Sequence, residues 1–103
     1  MPKRVQVSKQ QPQVHFEQDG TRLTAIEIIR EQRSPVIAVL QQTLFALGIV
    51  VSSYQVRARA TRLVERVVLE RTDGGSIDGT LSAATKAAIL PIALESRGAL
   101  PEV

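Results

Sequence analysis

A chain of 103 residues has room for one modest core, and with 44% hydrophobic content but only Phe16, Phe45 and Tyr54 as aromatics, that core must be aliphatic. The net charge of +3 comes from thirteen basic side chains set against ten acids, a mixed surface and not the dense cationic stripe of a dedicated polyanion binder. The absence of cysteine excludes disulfides, thiolate nucleophiles and Cys-ligated metal; the single histidine, His15, has no nucleophile–acid set around it, so no catalytic residues, metal or cofactor are expected.

Residues 1–11 carry Lys3, Arg4 and Lys9 without an acid or an apolar block, which reads as a basic tail and not as a secretory signal. The ordered domain is expected over 12–95, with a second tail at 96–103, and a cytoplasmic location is the default expectation. From Pro12 the pattern alternates, with Val14 and Phe16 on one face. Asp19-Gly20 then predicts a hairpin with a type I′ turn, because both residues tolerate positive φ. On the returning strand, Thr21 to Glu31, alternation places Thr24, Ile26 and Ile28 on one face and Ala25, Glu27 and Ile29 on the other.

Ser34 and Pro35 suit the cap and first position of a helix. Val36, Ile37, Leu40, Leu44 and Leu47 then recur at spacings of three and four, a stripe expected to pack on a sheet. The opposite side holds Ala38, Gln41, Gln42 and Phe45, flanked by Val39 and Ala46, and no charged residue occurs from Ser34 through Val56. The run is short for a bilayer crossing of about 20 residues and carries two glutamines at its middle, so a buried soluble helix is the expectation and no membrane partner is implied. An uncharged outer face predicts contact with a second copy, a homodimer using Val39, Gln42, Phe45, Ala46 and, from the next strand, Tyr54.

Gly48 suits a helix stop. A strand over Ile49 to Ala60 follows, a turn near Thr61-Arg62, and a strand over Leu63 to Arg71 in which Glu65 shares the parity of Leu63, Val67 and Leu69. Arg57, Arg59, Arg62 and Arg66 crowd this hairpin; they read either as a solvated face guarding an edge strand or as an RNA-binding sheet with Tyr54 as its one stacking aromatic. Thr72 to Gly75 is a loop, too poor in spaced carboxylates for calcium and lacking the lysine of a phosphate loop. Asp78 or Ser76 caps a last helix to about Leu90, with Leu81, Ala84, Thr85 and Ala88 inward and Pro91 kinking or ending it.

Strand, strand, helix, strand, strand, helix predicts an α+β, ferredoxin-like sandwich: a four-stranded antiparallel sheet with two helices on one face, the first strand taking the edge beside the second. In this arrangement Pro12, Val14, Phe16, Thr24, Ile26, Glu27 and Ile28 fall in step with a pattern P-x-V-x-F-D-N followed by T-V-L-E-V. Gln32 to Ile37 lies over D-R-P-G-L-L, and Gly48 to Val51 over G-L-N-I. On those residues the chain resembles the ACT domain, over roughly Pro12 to Leu90, and is most similar to the ACT modules at the C-terminus of bacterial uridylyltransferases. The resemblance implies a regulatory module that binds an amino acid near Gln32, Arg33, Ser34, Pro35 and Val50, within a dimer or within a larger metabolic or signalling protein. The sequence departs from the pattern at that site. Pro35 stands where a glycine offers its N–H, Gln32 replaces the acid and Val50 the helix-end asparagine, so the ligand site is expected to be degraded.

Overall fold

The structure, a computed structural model, describes residues 12–31 and 36–94. Its elements are β1 (Gln13–Asp19), β2 (Arg22–Arg30), α1 (Val36–Ala46), β3 (Ile49–Arg59), β4 (Arg62–Arg71) and α2 (Gly79–Ala93). They form an α+β unit in which one four-stranded antiparallel sheet has the order β1-β2-β4-β3. Because β2 and β3 are each antiparallel to β4, they run the same way with β4 inserted between them, and α1 is the crossover that joins them. β1 takes the edge beside β2, as the sequence pattern indicates, and β3 forms the other edge.

Both helices lie on the same face. Leu40 and Leu44 of α1 and Ile89 and Ala93 of α2 meet Ile26, Ile28, Ile49, Val67 and Leu69 of the sheet in one buried cluster, with Val14, Phe16, Ile37, Leu47 and Tyr54 packed around it. Each large aliphatic side chain withdrawn from water there contributes roughly 1.5–3 kcal/mol before chain entropy is counted. Ile37, Leu40, Leu44 and Leu47 of the α1 stripe are therefore where their spacing places them. Ser34 and Pro35, read as its start, lie outside the described residues. At its other end Gly48 takes a φ of +79°, and its carbonyl accepts the Thr72 N–H at 2.9 Å, which ties the helix stop to the end of β4.

Register corrects the alternation in two places. Glu17 lies opposite Ala25 while Gln18 lies opposite Leu23, so Thr24 is an extra residue in β2. The bulge turns Leu23, not Thr24, into the core beside Ile26 and Ile28. The Leu23 N–H donates to the Ile77 carbonyl at 2.7 Å, and the Thr24 hydroxyl donates to the Glu17 carbonyl at 3.2 Å. Ser52 is a second such residue, skipped between the Val51–Leu69 and Ser53–Val68 pairs.

The turns also differ from the expected ones. The first hairpin closes at Asp19–Arg22, so the loop is Gly20-Thr21 and only Gly20 has positive φ, +66°, the requirement of a II′ turn and not of I′. An Arg22–Asp19 ion pair at 3.1 Å staples it. The second hairpin closes at Arg59–Arg62, with Ala60-Thr61 between, and Ala60 is held at φ +56°. A Cβ in that region costs about 1–2 kcal/mol, partly offset in a glycine variant by the extra freedom of the unfolded chain. Ala60→Gly is accordingly expected to stabilise the fold by about 0.5–1 kcal/mol, read as a higher urea midpoint at unchanged slope. A lower midpoint would refute the strain assignment.

Helix α2 runs through Pro91 to Ala93. The proline removes the N–H that would meet the Ala87 carbonyl, but Pro91 and Ala87 are both exposed, and water can serve that acceptor. The turn beyond is retained because Ala93 is fully buried and its carbonyl accepts the Arg30 Nη2 donor at 2.5 Å. The inward residues are Ser82, Thr85, Ile89 and Ala93. Thr85 matches its expected place, Leu81 and Ala88 are half-buried, and Ala84 is exposed. Asp78 occupies the N-cap with an extended backbone and no side-chain bond to the helix.

Candidate functional site

The outer side of α1 begins as sequence periodicity: once Leu40 and Leu44 face the sheet, the residues a third of a turn away must face out. Ala38, Val39, Gln41, Gln42, Phe45 and Ala46 are all exposed, Phe45 at 67% and Val39 at 47% of their full accessibility. Phe45 is the only aromatic among the exposed large hydrophobics of the described residues. The helix turns at Gly48 straight into β3, so this face continues onto the open edge of the sheet. Between helix and edge runs a shallow groove of about 360 Å³, lined by Gln41, Gln42, Phe45, Ile49, Val50 and Val51. Nothing in that lining is ionisable, and the glutamines are its only polar side chains.

Four of the five residues expected at a dimer contact, Val39, Gln42, Phe45 and Ala46, therefore share one exposed surface. Tyr54 sits apart: it is half-buried on the helix side of β3, opposite Val67 and packed against the core. Of the expected ligand residues, Val50 lines the groove, while Gln32, Arg33, Ser34 and Pro35 lie outside the described residues.

The four arginines of the β3–β4 hairpin all fall on the sheet face away from the helices. Arg59 and Arg62 oppose each other, Arg57 opposes Val64 and Arg66 opposes Gln55. Arg66 is engaged: its Nε and Nη2 donate to the two Glu17 carboxylate oxygens at 3.1 and 2.7 Å, a fork that spans β2 from β4 to β1. These hydrogen bonds, and then the guanidinium charge, hold the Glu17 carboxyl below its ordinary value, and the same pair raises Arg66. Depression of the Glu17 value means that the pair's support is complete above the ordinary carboxylate range and lost as pH falls through the lowered value. Both partners are more than a third exposed, so solvent screens the effect. Of the rings that could stack bases, Tyr54 and Phe16 lie on the helix side, and His15, exposed and opposite Glu27, is the ring among the described residues of the sheet that stands on this face.

A second cleft, also about 360 Å³, lies between the first hairpin and the loop before α2 and includes Arg22, Thr24, Glu70, Arg71, Gly75 and Ser76. Its cations are occupied within their own turns. Arg22 pairs with Asp19, and Arg71 donates to Asp73 at 2.7 Å and to the Ser76 carbonyl at 3.1 Å. A hydrogen bond from the Gly75 N–H, joined by Arg71, keeps the Asp73 carboxyl below its ordinary value. Among the described residues no group of three or more His, Cys, Asp or Glu side chains could hold a metal ion, and no helix is long and apolar enough to cross a membrane.

Two buried charged side chains escaped the sequence reading. Arg30 ends β2 on the parity of Ile26 and Ile28, and Glu65 of β4 lies between Ile28 and Val56 beneath the helices at 1% exposure. Glu65 shares the parity of Val67 and Leu69, and that was the available signal; it reads equally well as a break in an apolar stripe. Compared with protein-family models, curated proteins and solved structures, the chain has no match.

Proposed function

We propose that the chain is a non-catalytic regulatory or protein-interaction module of ACT-like type, working in the cytoplasm as a homodimer held by the outer face of α1 and the adjoining β3. The observation that carries this reading is Phe45, two-thirds exposed at the C-terminal end of an uncharged helix face that runs into an open strand edge. A large ring left in water is an unrealised contact worth roughly 1.5–3 kcal/mol, and a surface without charge selects a partner of the same kind by shape and apolar area. The ferredoxin-like part of the reading is supported by the order β1-β2-β4-β3, with a helix crossing between like-directed strands and both helices on one face. As a regulatory device the module would couple association to a small molecule seated at the junction, in the groove below Gln41 and Phe45. Pro35 lacks the N–H that an amino-acid ligand would use, so amino acids are expected to shift the thermal midpoint little.

Sedimentation equilibrium of the full chain at micromolar concentration is expected to report a dimer. Phe45→Asp, which removes the ring and places two like charges across the contact, is expected to raise the dissociation constant by at least about 30-fold. Ala84→Asp, on the exposed side of α2, should leave it unchanged. A monomer in the parent protein, or a Phe45→Asp variant that folds and still dimerises, sinks the proposal. Nucleic-acid binding would instead appear as salt-sensitive retention of single-stranded RNA that weakens when Arg57 and Arg59 are replaced.

A further inference from the structure

Two features that each oppose stability coincide at the tip of the β3–β4 hairpin. Arg59 and Arg62 form its closing rung on the sheet face away from the helices, with Arg57 two residues back on the same face. Side chains directly opposite on one face stand only about 4.5–5.5 Å apart at Cβ, so like charges there repel. The turn that this rung closes holds Ala60 at φ +56°, the one non-glycine residue with positive φ among those described, where a glycine would remove the strain. Neither feature is imposed by the fold, since a change of residue would relieve each. A guard against edge pairing does not account for them, because one charge on the edge strand suffices and a second arginine opposite it on β4 adds nothing. Local strain retained at an exposed position marks a ligand clamp.

The surroundings do not neutralise these arginines. Arg57 and Arg59 are exposed, and the ion pairs among the described residues are those of Arg22, Arg66 and Arg71. The acids of this face are placed elsewhere: Glu17 is taken up by the Arg66 fork, Glu27 stands opposite Arg66 on β2, and Glu31 follows the end of β2. Two strand spacings, about 10 Å, separate β2 from β3. We infer that Arg57 and Arg59, with Arg62 across the rung, bind an extended acidic segment of another protein. On one face of a strand Arg57 and Arg59 are about 7 Å apart, the spacing at which alternate carboxylates of an extended peptide recur, and each guanidinium can meet a carboxylate through two parallel N–H donors. A nucleic-acid strand is a poorer match. Its onward path over this face crosses Glu17 and Glu27, and the ring that stands here, His15, belongs to the opposite edge strand. The surface is on the other side of the sheet from Phe45, so the inference stands apart from the homodimer proposed above.

Fluorescence anisotropy of a labelled peptide of alternating glutamate and serine, titrated with the full chain at low salt, tests the contact. Saturable binding that weakens with added salt is expected. Arg59→Gln should weaken it about fivefold and at the same time raise the urea midpoint by relieving the closing rung. Arg22→Gln removes the same charge at the other hairpin and should leave the affinity unchanged. No binding by the parent, equal weakening by the two variants, a midpoint that falls in Arg59→Gln, or tighter binding of single-stranded oligouridylate than of the peptide each overturns the inference. Sedimentation run alongside keeps the two proposals distinct: a failed titration leaves the homodimer standing, and a monomeric parent that binds the peptide leaves the clamp standing.

Discussion

Truncating Leu44 to alanine is expected to remove about 3–4 kcal/mol of folding stability. The side chain is fully buried at the centre of the cluster formed by Ile26, Val67, Leu40 and Ile89, against a sheet that cannot collapse onto the vacated space without breaking its ladder. The loss combines the transfer term of the removed methyl and methylene groups with the cavity they leave. A domain of this size has a total stability of about 5–8 kcal/mol, so the variant should lie close to its unfolding midpoint at 37 °C. Urea unfolding followed by circular dichroism checks it, and a loss under about 1 kcal/mol would mean that Leu44 does not occupy the core. The adjacent Phe45 makes the comparison informative. Its replacement by alanine is expected to leave monomer stability within about 0.5 kcal/mol, because two neighbours on one helix face opposite environments.

The second large effect is expected at Arg30. Its guanidinium is buried, and Nη2 donates to the Ala93 carbonyl, joining the last residue of β2 to the last turn of α2. Arg30→Met keeps most of the stem but leaves a buried acceptor at the helix end without its charged donor, a loss of about 2–3 kcal/mol. The effect should be local as well as global. Hydrogen exchange of the Leu94 N–H, which closes the final turn onto the Leu90 carbonyl, should quicken more than exchange in β4. If the two quicken equally, Arg30 contributes only through the core at large. Since Pro91 already deprives this helix of one internal bond, its end depends on the Arg30 contact more than an uninterrupted helix would.

Much of the architecture was legible in the sequence because it is encoded within a few residues. Leu40 and Leu44 announce their helix by spacing, Gly48 announces its stop, and Asp19-Gly20 places the first hairpin to within one residue of its actual loop. The uncharged run from Ser34 to Val56 likewise marked the outer side of α1 before any neighbour was known. Tyr54 was harder to place. Its place on the strand did not say which side the helices would cover. The aromatic counted for either a dimer contact or a base-stacking surface instead lies against the core.

What the chain determined by itself was the order and type of its elements, the aliphatic character of its core and the position of its uncharged helix. These follow from periodicity, capping and turn chemistry acting over one or two turns of backbone. Only the tertiary structure decided that β4 lies between β2 and β3, that Thr24 and Ser52 are extra residues in their ladders, and that α2 passes Pro91. The burial of Arg30 and Glu65 was decided there too. Each of these depends on groups distant in sequence, sixty-three residues apart for Arg30 and Ala93, whose meeting is fixed by packing energy and by the need to pair every buried polar group.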